Sequence, residues 1–309
     1  MYRVLSAAFL IGATMTPGLG SSPALAQDAD TTITEATTLA VFQDPVALAA
    51  DPTGVLYVVD AVTSSITRLT PAGEVISTYG GPGRGEYQFD EPSDIDVSAG
   101  LVWLVADAGN SRIKRYSSEF LHLASMPVDV SSFAVQQSAG RGGFREEEGA
   151  PLQYASGRPI SVAATISDET YAVDAENGTV IKWDASRRIE RVFGTTEGAL
   201  LLVDPVSVAV DRNSNVYVAD RGLDAVLVFD RFGTYLRMLA ENIARDVESV
   251  YTRGERMFVV LPHRLLVYDL DGLLLRVYDV RLGEPLRDVA VADGAFFLLT
   301  ERRLVRAMP

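Results

Sequence analysis

Asp204-Pro205-Val206-Ser207-Val208-Ala209 and, after six intervening residues, Val216-Tyr217-Val218-Ala219-Asp220 form the stretch that decides the fold. The same arrangement occurs at Pro45 to Asp60, Pro92 to Asp107 and Pro159 to Asp174, with 15 residues from Pro to Asp each time. Six residues past each Asp a β-branched residue opens the next apolar run: Ile66, Ile113, Val180 and Val226. Two weaker copies follow, around Asp246 to Val260 and Pro285 to Leu299. The residue just before the first apolar run serves as a marker for each copy. The markers are Ala47, Asp94, Ser161, Ser207, Ser249 and Asp288, spaced 47, 67, 46, 42 and 39 residues apart.

Each copy reads as four short strands rich in Val, Ile, Tyr and Phe, separated by turns such as Pro71-Ala72-Gly73 and Arg231-Phe232-Gly233. No helical period of useful length interrupts them. A four-stranded antiparallel unit repeating at this length is the signature of a propeller blade. The expected fold is all-β, a six-bladed β-propeller of four-stranded antiparallel blades. After Pro285 there is chain for only three strands, so the fourth strand of the last blade is expected from the N-terminal run Thr37 to Gln43.

The segment Val105-Ala106-Asp107-Ala108-Gly109-Asn110-Ser111-Arg112-Ile113, with Pro92 fifteen residues before its Asp, resembles an NHL repeat. The blade at Pro205 to Phe229 is similar, and the resemblance spans residues 37–309. It implies a six-bladed propeller. It does not imply one activity, because NHL propellers include binding modules and enzymes.

Composition narrows the function classes. The chain has 309 residues, 22% of them charged, no Cys, two His and a formal net charge of −14. Without Cys there is no disulfide, thiol nucleophile or thiolate metal site. His122 and His263 cannot make a multi-histidine site, and the acidic balance argues against nucleic acid as a partner. Residues 1–26 read as an export signal: Arg3, an apolar run from Val4 to Met15, then Ala24-Leu25-Ala26 before a cleavage point. The expected location is therefore periplasmic or secreted, with no membrane span after cleavage. Residues 27–36 are read as a lead, and 37–309 as the propeller with an insertion at about 127–157.

Two regions are candidates for function. The marker residues start the innermost strands and should gather at one mouth of the central channel. There Asp94, Ser161, Ser207, Ser249 and Asp288 are candidate ligand-binding residues. No cofactor is required by this reading; Ca²⁺ is the one candidate, because these side chains offer hard oxygens. The alternative is that small polar residues simply line a narrow, wet channel. The second region is the insertion, where Arg141, Phe144 and Arg145 beside an acidic run suit contact with a partner. The repeat residues Asp60, Asp107, Asp174 and Asp220 read as turn acceptors, one per blade.

No nucleophile elbow or phosphate-cradling glycine motif is visible, and no catalytic residue is assigned. The expectation is a monomeric, exported, non-enzymatic NHL-type propeller that binds a protein or an extracellular ligand. The alternative is a metal-assisted hydrolase or lyase with its site at the channel mouth.

Overall fold

The computed structural model describes residues 31–100, 102–130, 156–194 and 202–308. The described residues form 25 β-strands and one 3-10 turn at Ala108–Asn110, with no α-helix. Two strands, β1 (Thr31–Ile33) and β2 (Thr37–Val41), precede the first blade. Blade 1 is β3 (Pro45–Ala50), β4 (Leu56–Asp60), β5 (Ser65–Leu69) and β6 (Val75–Gly80). Blade 2 is β7 (Pro92–Asp96), β8 (Val102–Asp107), β9 (Arg112–Ser117) and β10 (His122–Pro127). Blade 3 is β11 (Pro159–Ala164), β12 (Thr170–Asp174), β13 (Thr179–Trp183) and β14 (Ile189–Phe193). Blade 4 is β15 (Pro205–Val210), β16 (Val216–Asp220), β17 (Ala225–Phe229) and β18 (Tyr235–Leu239). Blade 5 is β19 (Ser249–Arg253), β20 (Arg256–Leu261), β21 (Arg264–Asp269) and β22 (Leu274–Val280). Blade 6 is β23 (Leu286–Ala292), β24 (Ala295–Thr300) and β25 (Arg303–Ala307).

Blade 6 is completed by β2, which pairs antiparallel with β25, so the ring closes as the sequence predicts. The stretch read as a lead does more than connect. Within it, β1 pairs parallel with β22 and gives blade 5 a fifth strand. Ile33 is buried in the core between blades 5 and 6. The N-terminal segment thus binds two neighbouring blades. The strap fits closely: a side chain at Gly73, in the β5–β6 turn with φ +91°, would bring a Cβ within 2.9 Å of Leu39.

Burial grades from axis to rim. The second strands β4, β8, β12, β16 and β24 are buried along their whole length, while β6 is mostly exposed. Apolar residues fall into six clusters, one at each blade–blade seam, including the seam between blades 6 and 1. A four-stranded blade has two apolar faces, and only a closed ring covers both. The signal at residues 1–26 and most of the insertion, including Arg141, Phe144 and Arg145, lie outside the described residues.

Candidate functional site: the marker end of the central channel

Each strong copy begins its first strand at the repeat proline, paired with the repeat aspartate: Pro45 with Asp60, Pro92 with Asp107, Pro159 with Asp174 and Pro205 with Asp220. Proline has no N–H to donate and is tolerated at a strand's first residue. In all four copies the register then shifts between the proline and the marker. Such a β-bulge bends a strand and re-aims a side chain. Blade 6 has the same shift between Leu286 and Asp288, so Leu286, not Pro285, takes the proline's place. That explains why its marker sits one residue late.

The six markers come together, as expected, in one pocket of about 370 Å³ at the channel mouth. Their side chains form a belt from blade to blade. In four blades the marker's oxygen accepts the N–H of the residue after the next blade's marker. Val162 donates to Asp94 Oδ2 (2.7 Å), Val208 to Ser161 Oγ (3.1 Å), Val250 to Ser207 Oγ (3.1 Å) and Leu48 to Asp288 Oδ2 (2.8 Å). The two departures are compensated. Ala47 has no acceptor, and Ile95 N–H is taken by Asp94 Oδ1 (2.7 Å). Ser249 donates to Asp288 Oδ1 (2.7 Å), and the same oxygen accepts Val289 N–H (2.8 Å). Ser161 also donates to Asp94 Oδ2 (2.8 Å). The two aspartates stand where one acceptor has to serve more than one donor.

These bonds seal the seams at their innermost point, where an unpaired buried N–H is costly. Ser207→Ala leaves Val250 N–H without its acceptor and is expected to cost about 1–2 kcal/mol, read by chemical denaturation. No loss would contradict the belt.

The electrostatics follow from position. Burial and then the facing charge of Asp288 push the Asp94 carboxyl up to about 8. Burial pushes Asp288 up to about 6. Deeper in the channel the Asp96 carboxyl is also raised by burial; it accepts Ala164 N–H (2.6 Å) and Ser98 N–H (2.7 Å). Around the mouth stand Glu248, Arg287 and Glu301, which sequence reading had not singled out. Arg287 pairs with Asp44 (2.9 Å) and Glu248 with Arg221 (3.3 Å). The signal available for Asp96 was its place two residues beyond Asp94 on one strand. Of the rim charges, Glu248 and Arg287 lie at blade entries and Glu301 in the β24–β25 turn, in the two weaker copies.

The described residues hold no group of three or more His, Asp or Glu side chains able to hold a metal ion. All four oxygens of Asp94 and Asp288 already accept hydrogen bonds. The arrangement therefore reads first as a structural belt whose outer surface is a polar pocket.

The repeat aspartates act locally, on the second strand of each strong copy and opposite the proline two residues before the marker. Asp60 accepts from Gln43, Asp44 and Thr63 N–H groups, so one carboxylate ties the blade's entry to its second turn. Burial raises its pKa, but these donors outweigh burial and hold it below the ordinary carboxylate value. Asp174 and Asp220 bond the same way, to Arg158 and Glu176 and to Val203, Asp204 and Leu223. Asp107 takes Asp90 N–H (2.7 Å), Asn110 Nδ2 and Arg112 Nε (2.7 Å). Lys114 lies 4.0 Å from it, fully buried, and donates to the carbonyls of Gly85, Glu86 and Gln88 in the linker between blades 1 and 2. His122 lies on the outer strand of blade 2 with Nε2 3.0 Å from Ser125 Oγ, and His263 lies in the β20–β21 turn.

No protein-family model and no curated protein matches the sequence. Among solved structures the chain is similar to a streptogramin B lyase, with 8% identity over 88% of this chain and 96% of that one at a TM-score of 0.60. It is also similar to virginiamycin B lyase from Staphylococcus aureus, with 9% identity over 86% of this chain and 96% of that one at a TM-score of 0.57. A catalytically inactive variant of that lyase with quinupristin gives 8% identity, 89% and 99% coverage and a TM-score of 0.60. At such identities the likeness is one of fold: this chain shares the six-bladed propeller frame of these structures.

Proposed function

We propose that the chain is an exported, non-enzymatic propeller of the NHL type, which presents the marker mouth and the insertion to a protein or an extracellular ligand. The observation that carries this reading is the commitment of the mouth's polar groups. The oxygens of Asp94, Ser161, Ser207 and Asp288 accept the N–H donors that hold the blades together, and Ser249 donates into the same belt. What the pocket offers a visitor is shape and the charges of Glu248, Arg287 and Glu301, which suits recognition more than bond-breaking. The NHL assignment rests on the Asp107 to Ile113 motif, and export on residues 1–26.

The experiment is capture of partners from periplasmic extract and culture medium with the full chain and with a variant lacking residues 139–151. Metal content and hydrolase or lyase turnover are measured on the same preparation. The reading expects a partner held by the full chain, reduced by the deletion if the insertion is the contact. Stoichiometric metal with turnover abolished by Asp94→Ala would overturn it in favour of an enzyme at the mouth. The shared frame with lyases gives that second reading its place in the test.

A further inference from the structure

Asp94 and Asp288 are the two places where the belt departs from serine or alanine, and both departures put a carboxyl on the channel. Blade 1 faces them with Ala47, and blades 3, 4 and 5 with Ser161, Ser207 and Ser249, none of them charged. The narrow channel below, about 80 Å³, adds Asp96, Tyr251 and Thr252 and is lined by no Lys, Arg or His. At the rim Glu301 adds negative charge, Glu248 is paired with Arg221, and the one cation among the lining residues, Arg287, pairs with Asp44. Among the described residues that line the channel, no cation pairs with either carboxyl.

We propose that Asp94 and Asp288 are a pH-sensitive clasp: as acids each donates its O–H to the serine hydroxyl beside it, Ser161 for Asp94 and Ser249 for Asp288, and still accepts the backbone N–H groups of the belt, whereas as carboxylates the two repel each other across the channel and loosen the seams they bridge. The seams are those between blades 2 and 3 and between blades 6 and 1, because Asp94 accepts Val162 N–H and Asp288 accepts Leu48 N–H. The inference rests on the belt and stands apart from the binding reading.

The direction follows from two acids facing one channel without a cation between them, and the raised pKa values of both agree with it. An acid whose pKa is raised on folding stabilises the fold fully below its unfolded pKa, near 4, and loses that contribution as pH climbs. The loss runs through about 6 for Asp288 and about 8 for Asp94. Asp96 and Glu248, also raised by burial, act in the same direction. Asp60, Glu169 and Glu284 are lowered, so their contribution is lost only in acid, below the ordinary carboxylate range. Lys114, lowered to about 8, favours the fold only as pH rises above that value. The window from pH 5 to 8 therefore belongs to the raised acids.

The belt itself supplies the test. In an all-serine ring each oxygen needs to accept only the next blade's N–H, so Ala47→Ser, Asp94→Ser and Asp288→Ser together remove both charges and keep an acceptor for all six donors. Thermal unfolding of the full chain is followed from pH 5 to pH 8. The unaltered chain is expected to lose roughly 5 °C or more in Tm, and the triple variant at least half of that dependence. Asp288→Ser alone needs no companion change, since Ser249 is then free to accept Val289 N–H. It is expected to remove the part of the loss near pH 6, and it keeps the test decisive if the triple variant does not fold. A Tm in the unaltered chain that is flat or rises over this range overturns the proposal. So does a fall that Asp288→Ser and the triple variant leave intact.

Discussion

Deletion of residues 37–43 is expected to destabilise the whole propeller by roughly 3 kcal/mol or more, a large share of a typical domain's 5–15 kcal/mol. The strand β2 contributes four residue pairs to β25, from Thr37 with Arg306 to Val41 with Arg303, and Phe42 N–H adds a bond to Arg302 (2.8 Å). Leu39, Ala40 and Phe42 pack on the core between blades 6 and 1. Without them blade 6 keeps three strands, β25 becomes an edge, and the seam that closes the ring loses its outer wall. The effect reaches blade 5, because the deletion cuts β1 away from the blades it straps, and Ile33 leaves the core it shares with Phe258 and Tyr278. Thermal unfolding should show a lower and broader transition for the deletion. A variant melting like the full chain would mean that the ring does not depend on its N-terminal strand.

Asp107→Ala is expected to be the most damaging change at a repeat aspartate, at about 3–5 kcal/mol. Asp107 is fully buried and receives Asp90 N–H, Asn110 and Arg112, with the Lys114 ammonium nearby. Its removal leaves a buried lysine and a largely buried arginine without their counter-charge. Asp60 and Asp220 receive their bonds from backbone N–H groups. Alanine there forfeits hydrogen bonds without stranding a cation, so about 1–3 kcal/mol is expected. Chemical denaturation of the three variants gives the order, and equal losses would show that the charge partners at Asp107 contribute nothing beyond the shared bonds.

The repeat made the architecture legible. Fifteen residues from Pro to Asp is the span of a first strand, a turn and a second strand that brings the two ends opposite each other, as Pro45 and Asp60 are. The terminal closure was legible because three strands cannot complete a blade. The strand β1 was not, since Thr31-Thr32-Ile33 is too short to carry a period. The bulge before five of the six markers was equally hidden. It is a property of register, and sequence shows only its consequence, a small polar residue at a fixed offset from the proline. In the last blade Leu286 replaces the proline, and Thr300, bonded to Glu284, stands where the four strong copies carry Asp.

At the channel mouth, sequence reading placed the markers together, as the structure does, and offered them as ligands or as the lining of a wet channel. It could not see their partners, because backbone N–H groups of the neighbouring blade leave no trace in residue identity. Lys114 shows the same limit: a lysine normally reads as surface, and here three linker carbonyls hold it inside.

Amide hydrogen exchange at Leu48, Ile95, Val162, Val208, Val250 and Val289 tests the central claim most directly. These six N–H groups line a polar channel, yet each donates to a belt side chain. If the belt holds the ring, all six exchange slowly and together, at the rate of global unfolding. Fast or independent exchange at these positions, with the second strands still protected, would show that the marker residues do not bind blade to blade.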